Sequence, residues 1–408
     1  MPFQPSTLAT TVAACLFLGA CASQPPQSGA TSPAARTPTP AAPESAPPSP
    51  EVMAAFRQCL DTLRPAALAA GLRADRYDAL TSDLAPALDI LPRLQRQPEF
   101  SMPIWDYLSG LVDDERVEQG QAQMRQHAGL LAAISQRYSV PAEAVVAVWG
   151  VESNFGQTQG SYPLRQSLAT LSCMGRRQAF FRGEFFAALR LLQAGDSTPE
   201  RLTGSWAGAF GQTQFMPSTF ERLAVDFDGD GRRDVIDSTA DALASTANFL
   251  RQAGWRSALP WGLEVRLPAG FDSQGESRRN KHALSSWQAR GLRRADGSAL
   301  LRAEQTTADG LRPDTLAGLL LPAGPQGPAF LVTRNFDAFY SYNAAESYGL
   351  AIAHLSDRLR GGGDFSTPWP TDDPGLSRAQ RRELQTLLLR RGHDIGEVDG
   401  RLGERSRT

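Results

Sequence analysis

One carboxylate stands out for chemistry. Glu152 lies in Ala147-Val148-Trp149-Gly150-Val151-Glu152-Ser153-Asn154-Phe155-Gly156, an apolar run of helical spacing that ends in a glycine. A carboxyl group in apolar surroundings is costly to ionise, so its pKa is expected to rise. The last turn of a helix also carries partial negative charge, which disfavours a second negative charge there. Both effects predict that Glu152 keeps its proton near neutral pH, as a general acid for glycoside cleavage must. On the residues alone, a surface Glu at a fraying helix end accounts for the same pattern.

A second cluster suits a hard cation. Asp226-Phe227-Asp228-Gly229-Asp230-Gly231-Arg232-Arg233-Asp234-Val235-Ile236-Asp237 places acids at positions one, three, five, nine and twelve of a calcium-type loop, with glycine at six. The candidate ligand set is Asp226, Asp228, Asp230, Arg232, Asp234 and Asp237. Helices are expected on both sides, over Pro217–Ala224 and Ser238–Ala253. The last ligand is Asp, whose reach is shorter than that of the usual Glu, and Arg232 and Arg233 add repulsion. Weak binding is therefore expected, and Asp-Gly turns without metal are common.

The motif Trp149-Gly150-Val151-Glu152-Ser153 is followed by Gly204-Ser205-Trp206-Ala207-Gly208-Ala209-Phe210-Gly211-Gln212-Thr213-Gln214-Phe215-Met216-Pro217-Ser218. Together they resemble the membrane-bound lytic transglycosylase B family, glycoside hydrolase family 103. Arg176-Arg177 and Ser341-Tyr342-Asn343-Ala344-Ala345-Glu346-Ser347-Tyr348 extend the match. It runs from about Glu51 to Arg360.

The resemblance implies a lysozyme-like catalytic domain, in the mainly α (α+β) class with additional helices and a few short strands. It implies cleavage of the β-1,4 bond between N-acetylmuramic acid and N-acetylglucosamine in peptidoglycan, with 1,6-anhydromuramic acid products. By position, Glu152 resembles the sole acid/base of the family. Ser205, Gln214, Tyr342 and Tyr348 fall where the family lines its saccharide groove, with Asn343 beside them and Arg176 and Arg177 near the strand-binding cleft. Ser341 stands where many relatives have Arg, and Ala345 where they have Ser. Read alone, Tyr342 and Tyr348 fit core aromatics, and Trp206 fits either core packing or stacking on a sugar. The resemblance also implies a structural calcium ion in the acidic loop and no cofactor for catalysis.

Most glycosidases need two carboxylates. With one, the C6 hydroxyl of the sugar can act as the nucleophile, and an intramolecular nucleophile is favoured entropically over water. Two other readings stay open: a muramidase that hydrolyses the same bond, and a non-catalytic wall-binding lipoprotein.

These groups need a scaffold. The chain has 408 residues, 41% hydrophobic and 21% charged, which suits a globular protein with a sizeable core. A net charge of −2 argues against nucleic-acid binding by bulk charge. Lys281 is the only lysine among 41 basic residues, which reads as compositional bias. Four cysteines and four histidines, none clustered, leave little room for a zinc site.

Apolar residues at helical spacing run from Glu51 to about Leu192. They include a helix entered at Pro141 and ending near Gly156, and one through Phe180–Leu192 closed by Gly195. Leu263–Leu267 alternates like a strand; Leu319–Leu321 and Phe330–Val332 are further strand candidates. Leu350–Leu359 is helical, and Ser377 with Gln380 predicts a capping box.

The ends carry other signals. Residues 1–20 read as a signal peptide whose apolar run closes in Leu18-Gly19-Ala20-Cys21, which resembles a lipobox with Cys21 as the lipid-bearing residue. Residues 21–50 are rich in Pro and Ala and read as an extended tether. Export predicts a periplasmic, lipid-anchored monomer at the outer membrane, bound to peptidoglycan strands and meeting other cell-wall enzymes. It also makes a Cys59–Cys173 disulfide possible, with two buried free thiols as the alternative. Residues 361–375 read as a linker. Residues 376–408 resemble the first part of a peptidoglycan-binding module and are expected to be truncated.

Overall fold

The computed structural model describes residues 47–95, 102–301, 310–372 and 375–400. The signal peptide, Cys21 and most of the tether lie outside the described residues, as do 401–408. No helix among the described residues is long and apolar enough to cross a membrane.

The tether ends slightly earlier than expected. Ser49 caps α1 (Pro50–Ala69) by accepting the Val52 N–H, and Pro50 takes the first turn, where a missing N–H costs nothing. Next come α2 (Ala74–Thr81), a 3-10 turn (Leu88–Gln95), α3 (Ile104–Leu111), α4 (Asp114–Gln126), α5 (Ala128–Tyr138) and α6 (Ala142–Ser153). β1 (Tyr162–Pro163) leads into α7 (Leu164–Met174) and α8 (Gln178–Ala194). β2 (Thr203–Gly204) pairs antiparallel with β1, followed by α9 (Pro217–Leu223) and α10 (Thr239–Gln252).

The strands of the second half are β3 (Gly262–Arg266), β4 (Lys281–Ala283), β5 (Arg293–Arg294), β6 (Leu316–Leu320) and β7 (Ala329–Val332), with α11 (Leu284–Ala289) after β4. They form one antiparallel sheet in the order β4-β6-β7-β3-β5. The chain closes with α12 (Arg334–Asn343), α13 (Glu346–Leu359) and α14 (Arg378–Arg390). Every helix and strand read from periodicity is present, with ends shifted by one to four residues, as fraying ends allow.

α6 is the centre of this arrangement. Ala144 through Gly150 are all buried, so the helix has no polar face and belongs in the interior. It packs among Phe336, Leu350, Ile352 and Leu355 of α12 and α13. Gly150 is required there: a Cβ would lie 2.8 Å from the Phe155 ring and 3.3 Å from Leu355. A second core joins α1, α7 and α8 through Phe56, Leu60, Leu168 and Phe185. Cys59 of α1 and Cys173 of α7 are disulfide-bonded beside it, with Cα atoms 5.9 Å apart.

The expected linker is packed rather than loose. Phe365 stacks on His354 with ring centroids 4.0 Å apart, and Trp369 meets Phe365 edge-on. The Ser366 and Thr367 N–H groups donate to Glu264 of β3, each at 2.7 Å. The capping box at Ser377 and Gln380 is formed.

Candidate active site

Glu152 sits in the last turn of α6, half-buried. The helix stops because Asn154 turns left-handed (φ 51°), a conformation that Asn tolerates, and Phe155 and Gly156 follow it. Ser153 ties this end to the 204–218 loop. Its hydroxyl donates to the Gln212 carbonyl and accepts the Gly156 N–H at 2.8 Å. The position of Glu152 is thereby coupled to a loop some 60 residues away.

Tyr348, on the first turn of α13, donates its hydroxyl to Glu152 Oε1. The Tyr348 ring is stacked on Tyr342 at 6.3 Å between centroids and 21° between planes. Tyr342 packs against Phe249 and Phe215 and donates its hydroxyl to the Thr213 carbonyl at 2.7 Å. Burial, and then the nearby charge of Glu152, push both phenols well above 10. At working pH each is a fixed hydrogen-bond donor.

Ser205 and Gln214 shape the loop that Tyr342 holds. Ser205 Oγ accepts the Ala209 N–H at 3.0 Å, and its own N–H donates to the Ala209 carbonyl at 2.7 Å. Gln214 is left-handed (φ 50°), and its amide donates to the carbonyls of Gln159 and Gly211 at 3.0 and 2.8 Å. Arg176 and Arg177 are exposed at the α7–α8 junction, with the Arg177 guanidinium 4.5 Å from the Phe180 ring centroid. Asn343 is exposed at the end of α12. Trp206 is half-buried and packs on the second core. Beyond Tyr348, Ser347 and Ala345 share a cleft of about 920 Å³ with Trp105, Tyr340 and Arg279.

The acidic loop divides into two groups. Carboxylate oxygens of Asp226, Asp228 and Asp230 lie within 4.8 Å of one another, a donor set that fits a hard cation. Asp226 also accepts the N–H groups of Gly229 and Gly231. Asp234 and Asp237 do not join the three. Both accept from Arg201, Asp234 at 3.0 Å and Asp237 more closely. A short Asp at the twelfth position leaves its carboxylate within reach of this guanidinium. The Arg232 side chain pairs with Asp230 at 3.3 Å, so only its backbone carbonyl could serve a metal. Asp241, fully buried, accepts the N–H groups of Phe227 and Asp234 at 2.7 and 2.8 Å and pins the loop from inside.

Sequence reasoning missed Arg201, Asp241 and the Ser153–Gln212 link. Asp241 had a signal: Ser238-Thr239-Ala240-Asp241 is a helix-start pattern, and Ser238 Oγ accepts the Asp241 N–H. Arg201 had none, since its partners are more than 30 residues away.

A helix-rich fold around one half-buried Glu, held by a tyrosine and by a glycine-rich loop, defines a lysozyme-like glycan-cleaving enzyme. The family model for the transglycosylase SLT domain matches residues 55–357, and the chain belongs to that family; its activity is that of a lytic transglycosylase. It is 30% identical to membrane-bound lytic murein transglycosylase B of Escherichia coli (strain K12), over 70% of this chain and 74% of that protein. SltB3 from Pseudomonas aeruginosa, solved with NAG-anhNAM-pentapeptide, is 46% identical with a TM-score of 0.72, covering 86% of this chain and 92% of that one. The Escherichia coli lytic transglycosylase SLT35 in complex with calcium is 26% identical with a TM-score of 0.62, covering 75% of this chain and 92% of that one.

Proposed function

We propose that Glu152 is the single acid and base of a cut at the β-1,4 bond between N-acetylmuramic acid and N-acetylglucosamine in peptidoglycan. Its proton passes to the glycosidic oxygen as the C1–O bond breaks. The Tyr348 hydroxyl, aimed at Oε1, stabilises the carboxylate that forms, because a hydrogen bond strengthens when its acceptor gains charge. The carboxylate then takes the proton of the C6 hydroxyl as O6 closes on C1, giving the 1,6-anhydro ring. Glu152 ends protonated and no water is consumed.

The Tyr348–Glu152 hydrogen bond carries this reading: a carboxyl group with a fixed donor at one oxygen is oriented for proton transfer. Tyr342, Ser205 and Gln214 act by holding the tyrosine pair and the loop that face the sugar. Arg176, Arg177 and Asn343, exposed, meet the strand itself. The cleft beside Ser347 gives room for the peptide that peptidoglycan carries, in keeping with the NAG-NAM-pentapeptide bound by SltB3.

The remaining assignments are proposals as well. The enzyme works in the periplasm as a monomer, anchored through Cys21 to the outer membrane, in line with its membrane-bound relative. A calcium ion on Asp226, Asp228 and Asp230 would cross-brace the loop between α9 and α10, without part in the chemistry.

Glu152→Gln keeps the shape and removes the transferable proton. Release of fragments from purified sacculi should fall by about two orders of magnitude or more, with the circular dichroism spectrum unchanged. Turnover equal to the parent enzyme would refute the assignment.

A further inference from the structure

The C-terminal helix, read from sequence as part of a separate wall-binding module, reaches the catalytic helix. Arg378 opens α14 and is 8% exposed. Its Nη1 donates to Asn154 Oδ1 at 2.5 Å, and its Nη2 to Gln119 Oε1 at 3.3 Å. The same fork faces Glu115 at 3.4 Å and Asp113 at 3.8 Å. The Arg378 backbone N–H donates to Asp113 Oδ2 at 3.1 Å, while Asp113 Oδ1 caps α4 through the Arg116 N–H. One buried acid therefore serves the starts of two helices. Arg382 binds Glu115, and Arg381 donates to the Asp106 carbonyl and Ser109 Oγ. Gly400 closes over the Arg378 stem, where a Cβ would come within 2.8 Å of Cγ.

Asn154 is the left-handed residue that ends α6, two positions after Glu152. Its backbone N–H bonds the Gly150 carbonyl at 3.1 Å, and its side-chain amide donates to Gln157 at 2.7 Å. Arg378 supplies the donor on the other side. A left-handed Asn has alternatives in the right-handed region, where the helix would run on and carry Gly156 away from the Ser153 hydroxyl, which ties the end of the Glu152 helix to the 204–218 loop. A buried, multiply bonded guanidinium on its Oδ1 opposes that change, because the planar fork loses little freedom in holding several acceptors at once.

We propose that Arg378 is a positioning residue for the transglycosylase reaction. It clamps the Asn154 cap and so holds the Glu152 carboxyl toward Tyr348 and the substrate, which makes α14 part of the catalytic unit. The inference rests on Glu152 being the acid and base.

The test is a double-mutant cycle in the full chain, with soluble glycan strands as substrate, measured well below the thermal midpoint. Arg378→Met keeps the apolar stem and removes the fork. Asn154→Gly keeps the left-handed cap without the acceptor, and leaves Asp113 and Glu115 paired. Each single variant should lose about tenfold in kcat with KM within about twofold. The double variant should lose no more than either single one, since both remove the same contact. Should Arg378→Met fail to fold, Asn154→Gly alone must still show the kcat loss. A folded variant with parental kcat, or losses that multiply in the double variant, would overturn the proposal. Full activity in Glu152→Gln would instead overturn the assignment on which it rests.

Discussion

Tyr348 and Glu152, 196 residues apart in sequence, share one hydrogen bond at the end of a helix whose residues Ala144 through Gly150 are all buried. Neither residue is placed by its own neighbours alone. Glu152 comes from a helix stopped by a left-handed Asn, and Tyr348 is pressed into place by Tyr342, which is anchored on the Thr213 carbonyl. The carboxyl group and its donor therefore arrive together only in the folded chain.

Tyr348→Phe removes the donor and keeps the ring stacked on Tyr342. A hydrogen bond to a charged group contributes about 1.5–3 kcal/mol, so kcat should fall about 10- to 100-fold, with KM changed little. Initial rates on soluble glycan strands measure this. An unchanged kcat would mean that the hydroxyl does not assist Glu152.

His354 gives a pH signature of stability that is separate from catalysis. Burial, then the Arg358 charge, lower its pKa from 6.5 to about 4, against an opposing pull from Asp364. The unfolded chain binds this proton below about pH 6.5 and the folded chain only below about pH 4. Its contribution is thus fully present above pH 6.5 and is lost as pH falls toward 4, up to about 3 kcal/mol. Asp357 in the same pocket is raised by burial and works in the opposite direction on acidification. Thermal midpoints of the parent should therefore drop more steeply between pH 6.5 and 4 than those of His354→Gln. Parallel curves would show that His354 is not the titrating group.

The acidic loop predicts a small and separable metal effect. Asp241 already pins the loop, and Arg201 already neutralises Asp234 and Asp237. Millimolar calcium should add about 1 kcal/mol or less, a shift of a few degrees at most. Asp228→Ala with Asp230→Ala should abolish that shift, and cutting should persist in chelator at moderate temperature. Loss of all cutting on chelation, with the fold intact, would make the ion catalytic.

Much of this was legible in the chain, and the reasons are local. The apolar run around Val145 and Val148 has to be a buried helix, and Gly156 signals its end, although the left-handed Asn154 is what stops it. β3, β6 and β7 alternate or run apolar as a sheet requires, whereas β4 and β5, Lys281–Ala283 and Arg293–Arg294, carry no such signal. The long motif 204–218 pointed to the family by resemblance, and in the fold its glycines and amides make one loop. What was not legible depends on distant partners. Ser205 accepts the Ala209 N–H and Gln214 donates to the carbonyls of Gln159 and Gly211, contacts that no spacing reveals. Arg201 meets Asp237 through the fold. The segment 361–375, read as a linker from its Gly and Pro content, is fastened by Phe365 and by the Glu264 carboxylate. Composition reports how stiff a free chain would be, and it is silent on whether the chain is free.

In the proposed mechanism one carboxyl group both gives and takes the proton while the sugar supplies its own nucleophile. Mass spectrometry of the fragments released from purified sacculi tests it most directly. Ring closure by O6 consumes no water, so the fragments should be lighter by one water than hydrolysis products and carry no reducing end. A digest dominated by hydrated reducing ends would contradict the account and show that water is the nucleophile.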